Sequence, residues 1–370
     1  MEIQNYTEKM KKLQNNLLKF IENSSEYDFQ QYLNFIESNE IQNNREEFRQ
    51  FLLLISKISN NHYRQQGLIK KIENILQYFS EKMKQTFSNS DIFNLFNNNK
   101  KILHFLFNQE IITIDEYIIN EILEKDDQFR FFFIPEMKQI EEKVPQVKTI
   151  EQKLLDINKN AFDNYEEKRQ IGENDSYICS LIRQDSIEEF IIYYNKSNIS
   201  LSNSINSSLF ETNSFLENKN PTLIEYAAFY GSIRIFQYLI SNGAQLTESL
   251  WLYAIHSNNA EVIYMLGEND VKPLDKSFQK CLLESIKCHH NEIANYIQDN
   301  LLTSNNPIKV VEYACHYLNF SYFPENFDKN DAFFYLCKYN YFNIVDLILA
   351  TKKNEFEATI IININFLIEF

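Results

Sequence analysis

Between Asn220 and Leu266 one pattern of apolar, small and polar positions is written twice. Thr222-Leu223-Ile224-Glu225-Tyr226-Ala227-Ala228-Phe229-Tyr230-Gly231 leads into Ile235-Phe236-Gln237-Tyr238-Leu239-Ile240 and closes on Asn242-Gly243-Ala244. Leu250-Trp251-Leu252-Tyr253-Ala254-Ile255 then leads into Glu261-Val262-Ile263-Tyr264-Met265-Leu266, with Ala227 and Ala254, like Ile235 and Val262, 27 residues apart. A short helix bearing a small residue, a turn, and a second helix bearing an apolar pair cannot bury its own face, and is stable only when stacked on neighbours. Further copies follow at Cys281–Ile286 with Glu292–Ile297, at Val311–Cys315, and at Leu336-Cys337 with Ile344–Leu349. A degenerate copy starts at Tyr177, with Cys179, Ile187 and Ile191 where Ala227, Ile235 and Leu239 stand. Ala227, Ala254, Ser285, Ala314 and Cys337 mark helix crossings too close for a large side chain. Ser200–Asn218 lacks periodicity and is expected to be an irregular connection.

Upstream, Leu13, Leu17, Leu18 and Ile21 form one helical stripe, and Ile69, Ile72, Leu76 and Phe79 another. Phe51–Ile55 with Ile58, Ile102–Phe107 and Tyr117–Leu123 predict buried helices. The aromatic run Phe131–Phe133 predicts core that stops at Pro135, because proline cannot continue a helix interior. Glu136–Lys168 is polar and charged, and predicts solvated helices or a linker. The pattern divides the chain into an all-helical region (1–170), helix-pair repeats (176–352) and an irregular tail (353–370). The predicted class is all-α.

Composition agrees with that class. The chain has five Gly and six Pro in 370 residues, against 31 Phe and 22 Tyr. Sandwiches and phosphate-cradling α/β folds need more positive-φ turns than five glycines supply. A net charge of −15 without a basic run argues against nucleic acid and anionic membranes. Acidic pairs such as Asp126-Asp127 and Glu188-Glu189 are expected to keep helix surfaces soluble. The five cysteines, Cys179, Cys281, Cys288, Cys315 and Cys337, are odd in number and sit in apolar helical patterns, which fits a reducing compartment. With no basic-then-apolar leader pattern and no apolar run long enough to span a bilayer, even at Thr359–Phe370, the expected location is cytoplasmic, with nuclear residence open.

The unit from Asn220 resembles the ankyrin repeat. Thr222, Ile224, Ala227, Ala228, Gly231, Ile235, Leu239, Gly243 and Ala244 fall in the register of its consensus, while Leu223 replaces the Pro and Glu225 the His. The spacing of 27 is shorter than the repeat's usual length of about 33. Ile182–Phe190, Leu250–Ile255 and Lys287–Asn291 are similar to a large paralogous protist family carrying an ankyrin-like domain of unknown function. The resemblance implies a degenerate ankyrin solenoid that binds a protein through a concave surface. In that register the groove positions are Phe229 and Tyr230, His256 and Ser257, Lys287 and Cys288, His316 and Tyr317, and Tyr339 and Asn340. Aromatic and histidine side chains there suit an interface.

Candidate chemistry is sparse. Cys288-His289-His290 with Cys281 places its donors partly in a turn and partly on a helix, and is read as a stray cluster; no metal site is expected. Cys315-His316 and Asp185-Ser186 lack a nucleophile elbow or oxyanion turn, and the isolated glycines make no phosphate loop. Trp251 is expected in the core. The expected function is non-catalytic protein binding, with no cofactor, nucleic acid or membrane insertion. Two alternatives stand beside it: a two-partner adaptor or effector whose N-terminal helices bind a second protein, and an enzyme with an N-terminal site.

Overall fold

The computed structural model describes residues 2–22, 26–62, 67–142, 144–197, 199–324 and 330–351. Among them the chain is all-helical: 23 α-helices and two short 3-10 turns, with no strand beyond an isolated bridge between Ser204 and Thr222. No described helix is long and apolar enough to cross a membrane. The expected tail at 353–370, including Thr359–Phe370, lies outside the described residues.

Leu52–Ser304 forms one compact unit, and the described parts of Met1–Phe51 and Asn305–Phe370 form the other. Compactness thus groups the chain otherwise than the sequence division near 170. Helix Glu2–Glu22 belongs with the residues after Asn305 because Gln14, fully buried, joins them: its Nε2 donates to Asn319 Oδ1 (3.1 Å) and its Oε1 accepts from the Phe320 N–H (2.6 Å). No hydropathy pattern announces a buried glutamine.

In the larger unit the chain forms four successive helix pairs: Tyr177–Arg183 with Ile187–Ser197, Leu223–Tyr230 with Ile233–Ser241, Leu250–Ser257 with Ala260–Glu268, and Gln279–Lys287 with Asn291–Asn300. Each leading helix packs on the next leading helix, and the first three trailing helices likewise pack in order. Ala227, Ala254 and Ser285, the expected small crossing residues, are fully buried between them, and Trp251 is buried with its indole N–H on the Val271 carbonyl (2.7 Å).

One turn ends three of the four leading helices; in the other, Leu250–Ser257, Asn258 is left-handed (φ 50°) but the Asn259 N–H bonds to the Ser257 hydroxyl at 3.1 Å. Asp185, Gly231 and His289 adopt φ of 49°, 66° and 60°, and the next residue's N–H returns to the carbonyl five residues back: Ser186 to Leu181, Ser232 to Ala227 and His290 to Ser285, each at 3.0 Å. This is the left-handed cap that satisfies orphan carbonyls at a helix C-terminus. In the smaller unit Leu318 (φ 55°) and Asn340 (φ 60°) repeat it, with Asn319 returning to Ala314 and Tyr341 to Leu336 at 2.9 Å. Twelve described non-glycine residues have positive φ. The scarcity of glycine therefore did not mean a scarcity of left-handed turns; Asn, Asp and even Leu318 and Phe278 take them.

Glu225 is the main tie between the second and third pairs. It is buried and closes a capping box with Thr222 at the start of Leu223–Tyr230, its Oε2 accepting the Thr222 N–H at 2.8 Å. Its other oxygen accepts the hydroxyls of Thr247 (2.9 Å) and Ser249 ahead of the next leading helix. Asp185 ties the first pair to the second by accepting from the Arg234 and Ile235 N–H groups at 3.0 and 2.9 Å.

Further upstream, Ile72, Leu76 and Phe79 are buried, as are Ile102, Leu103, Leu106, Ile118, Ile119 and Ile122. Phe131–Phe133 is core, and Pro135 opens the next helix after stopping the previous one. The polar stretch Glu136–Lys168 departs from its expected solvation. Its helix Gln146–Ile157 is largely exposed, but Glu136 is buried and paired with buried Arg169, whose guanidinium lies over Phe132 (5.1 Å) and Tyr165 (5.8 Å).

The irregular connection is present, and it is not a surface loop. Ile205, Phe210, Glu211, Thr212, Asn213, Phe215 and Leu216 are buried. Such a segment is stable only if its backbone and polar groups find partners. They do: Thr212 donates twice to the Gly172 carbonyl, Glu211 accepts from the Asn174 and Asn213 N–H groups, and Glu217 meets buried Lys100 at 2.9 Å.

Candidate functional site: the ends of the leading helices

The expected groove positions fall at the C-terminal ends of the leading helices, but several are not presented to solvent. Phe229, His256, Ser257 and Cys288 are buried, the last completely; Tyr230 and Lys287 are half-buried. What covers them is the chain itself. Phe215, from the irregular connection, lies 4.1 Å from the His256 ring and 5.8 Å from Phe229, and Phe229 stacks on His256 at 5.1 Å. The Lys219 ammonium sits 3.2 Å from the Phe215 ring centre. Ser257 is turned inward, its hydroxyl on the Ala254 carbonyl (2.7 Å). An open concave row in this unit is thus corrected to a covered one.

Of the larger unit's row, Tyr230 opens onto a cleft of about 940 Å³. Ile69, Ile171, Lys101, Arg183 and Glu73 also line it. Arg183 is fixed by Glu173 (2.7 Å), the Tyr226 hydroxyl (2.9 Å) and the Asn174 carbonyl (2.8 Å). Ile171 is more than half exposed, which makes it and Tyr230 apolar contacts a partner can reach.

Beneath Phe215 lies a polar cluster. His256 Nε2 is 2.8 Å from Glu284 Oε1, which the Lys287 ammonium also reaches at 2.9 Å; Cys288 Sγ is 3.6 Å from Nδ1 and 3.8 Å from Nε2. Burial pushes the His256 imidazole down, against the Glu284 hydrogen bond and charge. For Glu284 burial opposes the charge, but His256 and Lys287 outweigh it and hold the carboxyl low. Burial drives the Cys288 thiol well up. Nucleophile, base and orienting carboxylate are therefore all present, but not as a catalytic triad. The sulfur is nearly equidistant from both ring nitrogens, remains a protonated thiol and has no exposed surface.

The sequence cluster Cys281, Cys288, His289, His290 does not converge. Among the described residues the one group of three or more donors that does is His256, Glu284 and Cys288. His290 Nδ1 is 2.7 Å from the Ile255 carbonyl, and its ring packs edge-on against His62, whose Nδ1 is 2.9 Å from the Cys288 carbonyl. Sequence reasoning missed Glu284 although it stands four residues before Cys288, on the same helix face. It also missed Glu225, which completes a Thr-x-x-Glu capping signature.

In the smaller unit His316, Tyr317 and Tyr339 are half-buried and Asn340 is exposed. His316 stacks on Tyr339 at 4.8 Å, the same helix-to-helix register as Phe229 on His256 but only half-buried, and on its neighbour Tyr317 at 4.5 Å. No protein-family model matches the chain, and no curated protein or solved structure matches it.

Proposed function

We propose that this chain is a non-catalytic protein-interaction module built on degenerate ankyrin-type helix pairs of the protist family it resembles. The observation that carries the reading is the recurrence of a left-handed turn at the ends of the leading helices, with the same five-back hydrogen bond after Asp185, Gly231, His289, Leu318 and Asn340. Glu225 supports it by bonding to the following unit, as the consensus His does between repeats. Partner contact in the larger unit falls to the cleft at Tyr230 and Ile171 rather than to the covered row. In the smaller unit it falls to His316, Tyr317, Tyr339 and Asn340.

The test compares proximity labelling by the full chain with that by Tyr230→Ala/Ile171→Ser, after circular dichroism confirms equal helicity. Depletion of a reproducible partner by at least tenfold supports the cleft. Undiminished labelling sinks it, and the absence of any enriched partner sinks the interaction reading. The adaptor reading draws on the two compact units. In it the N-terminal helices bind a second protein, so substitutions on their exposed faces should remove a different partner from the one that His316→Ala/Tyr339→Ala removes.

A further inference from the structure

Three donor atoms of metal-binding kinds converge where leading helices Leu250–Ser257 and Gln279–Lys287 meet: a His256 nitrogen, a Glu284 carboxylate oxygen and Cys288 Sγ, all within 4.8 Å of one another. From this convergence we propose a binding site for a zinc-class divalent cation, with His256, Glu284 and Cys288 as ligands and water in the fourth position. The proposal does not depend on the interaction reading.

The donor set matches a borderline-soft ion, which takes thiolate, imidazole and carboxylate at about 2.0–2.3 Å in tetrahedral geometry. Those lengths imply donor separations of roughly 3.3–3.6 Å. The present separations of 2.8 Å from His256 Nε2 to Glu284 and 3.8 Å from Nε2 to Cys288 bracket that range. The sulfur is as near Nδ1 (3.6 Å) as Nε2, so binding requires the Glu284 and Cys288 side chains, four residues apart along the chain, to turn toward Nε2. Phe215 and Phe229 pack on the His256 ring and hold its plane, while the Nε2 proton that faces Glu284 must pass to Nδ1 before Nε2 can ligate. The Cys288 carbonyl is held by His62, which fixes the backbone behind the sulfur.

Charge decides what must move. Thiolate, carboxylate and neutral imidazole together neutralise a dication, and binding releases the Cys288 thiol proton to solvent, so affinity rises with pH. Lys287 occupies Glu284 Oε1 at 2.9 Å and would compete with a cation for it. Its side chain is 17% exposed, so the ammonium can leave toward water as the cation enters. Such an ion would link the third helix pair to the fourth.

The experiment uses the full chain, reduced and stripped with chelator, titrated with Zn²⁺ against a chromophoric competitor and separately with Co²⁺. One ion per chain and a thiolate-to-cobalt charge-transfer band are expected, with a rise in Tm on adding Zn²⁺. Cys288→Ser, His256→Asn and Glu284→Gln should each weaken binding by at least about tenfold. Lys287→Met should strengthen it, and Cys315→Ser should change nothing. Absence of stoichiometric uptake overturns the proposal, as does a cobalt spectrum without the thiolate band, which needs no variant to fold. Undiminished affinity in Cys288→Ser overturns it too.

Discussion

Replacing Glu225 with Ala removes a buried carboxylate that serves two helix pairs at once. Loss of the capping box at Thr222 costs about 1 kcal/mol. The Thr247 and Ser249 hydroxyls lose a charged acceptor, a type of bond that contributes about 1.5–3 kcal/mol. Because these hydroxyls are only partly buried and regain water, and because the carboxylate's own desolvation is relieved, the net loss should be roughly 2–4 kcal/mol. Glu225→Gln keeps an acceptor for the hydroxyls and should lose about half as much. Urea unfolding followed by Trp251 fluorescence is a local assay, since this single tryptophan is buried in the helix that Ser249 precedes. A double-mutant cycle with Ser249→Ala should give a coupling of about 1 kcal/mol. A Glu225→Ala midpoint indistinguishable from wild type, or a cycle with no coupling, would refute the claim that this carboxylate joins the pairs.

Gly231→Ala should destabilise by about 1–2 kcal/mol, because φ is 66° and the new Cβ would lie 3.3 Å from Ser257 and Asn259. Asn258→Gly, at φ 50°, should be neutral or slightly stabilising in the same melts; the reverse order would contradict the turn assignment. Stability should fall on acidification below about pH 6.5, by up to about 1.4 kcal/mol per pH unit for each of His104 and His290. Burial, aided by neighbouring charge, lowers His104 to about 3 and His290 well below its ordinary value, so the unfolded chain binds protons first. Urea midpoints that stay flat from pH 7 to 5.5 would contradict this, and His104→Gln should reduce the slope.

The helices, the small residues at their crossings, the turn at Gly231 and the burial of Trp251 were legible in the sequence, because periodicity and side-chain volume report which face is covered. They do not report what covers it. Phe229, His256 and Cys288 were placed on an open groove because the register predicts a face and Phe215 carries no periodic signal. Adjacent letters single out Cys288-His289-His290 and hide Glu284, whereas convergence on a helix runs through residues four apart. The buried Gln14 had no signal at all: a lone polar residue on an apolar stripe gains its meaning only from Asn319 and Phe320, some three hundred residues away.

The segment that lies over His256 also changes how the larger unit can come apart. An array of helix pairs alone is a one-dimensional chain of neighbour interactions, which can fray from an end or melt one repeat at a time. The bonds from Thr212 to Gly172 and from Glu217 to Lys100, and the contact of Phe215 with His256, skip over neighbours and tie distant stretches together. His62 does the same with the carbonyl of Cys288. No single pair within this span can melt without releasing contacts elsewhere, so the unit should lose its structure in one sharp transition. These ties also raise the mean sequence separation of its contacts, so folding should be slower than local helix-pair stacking would allow.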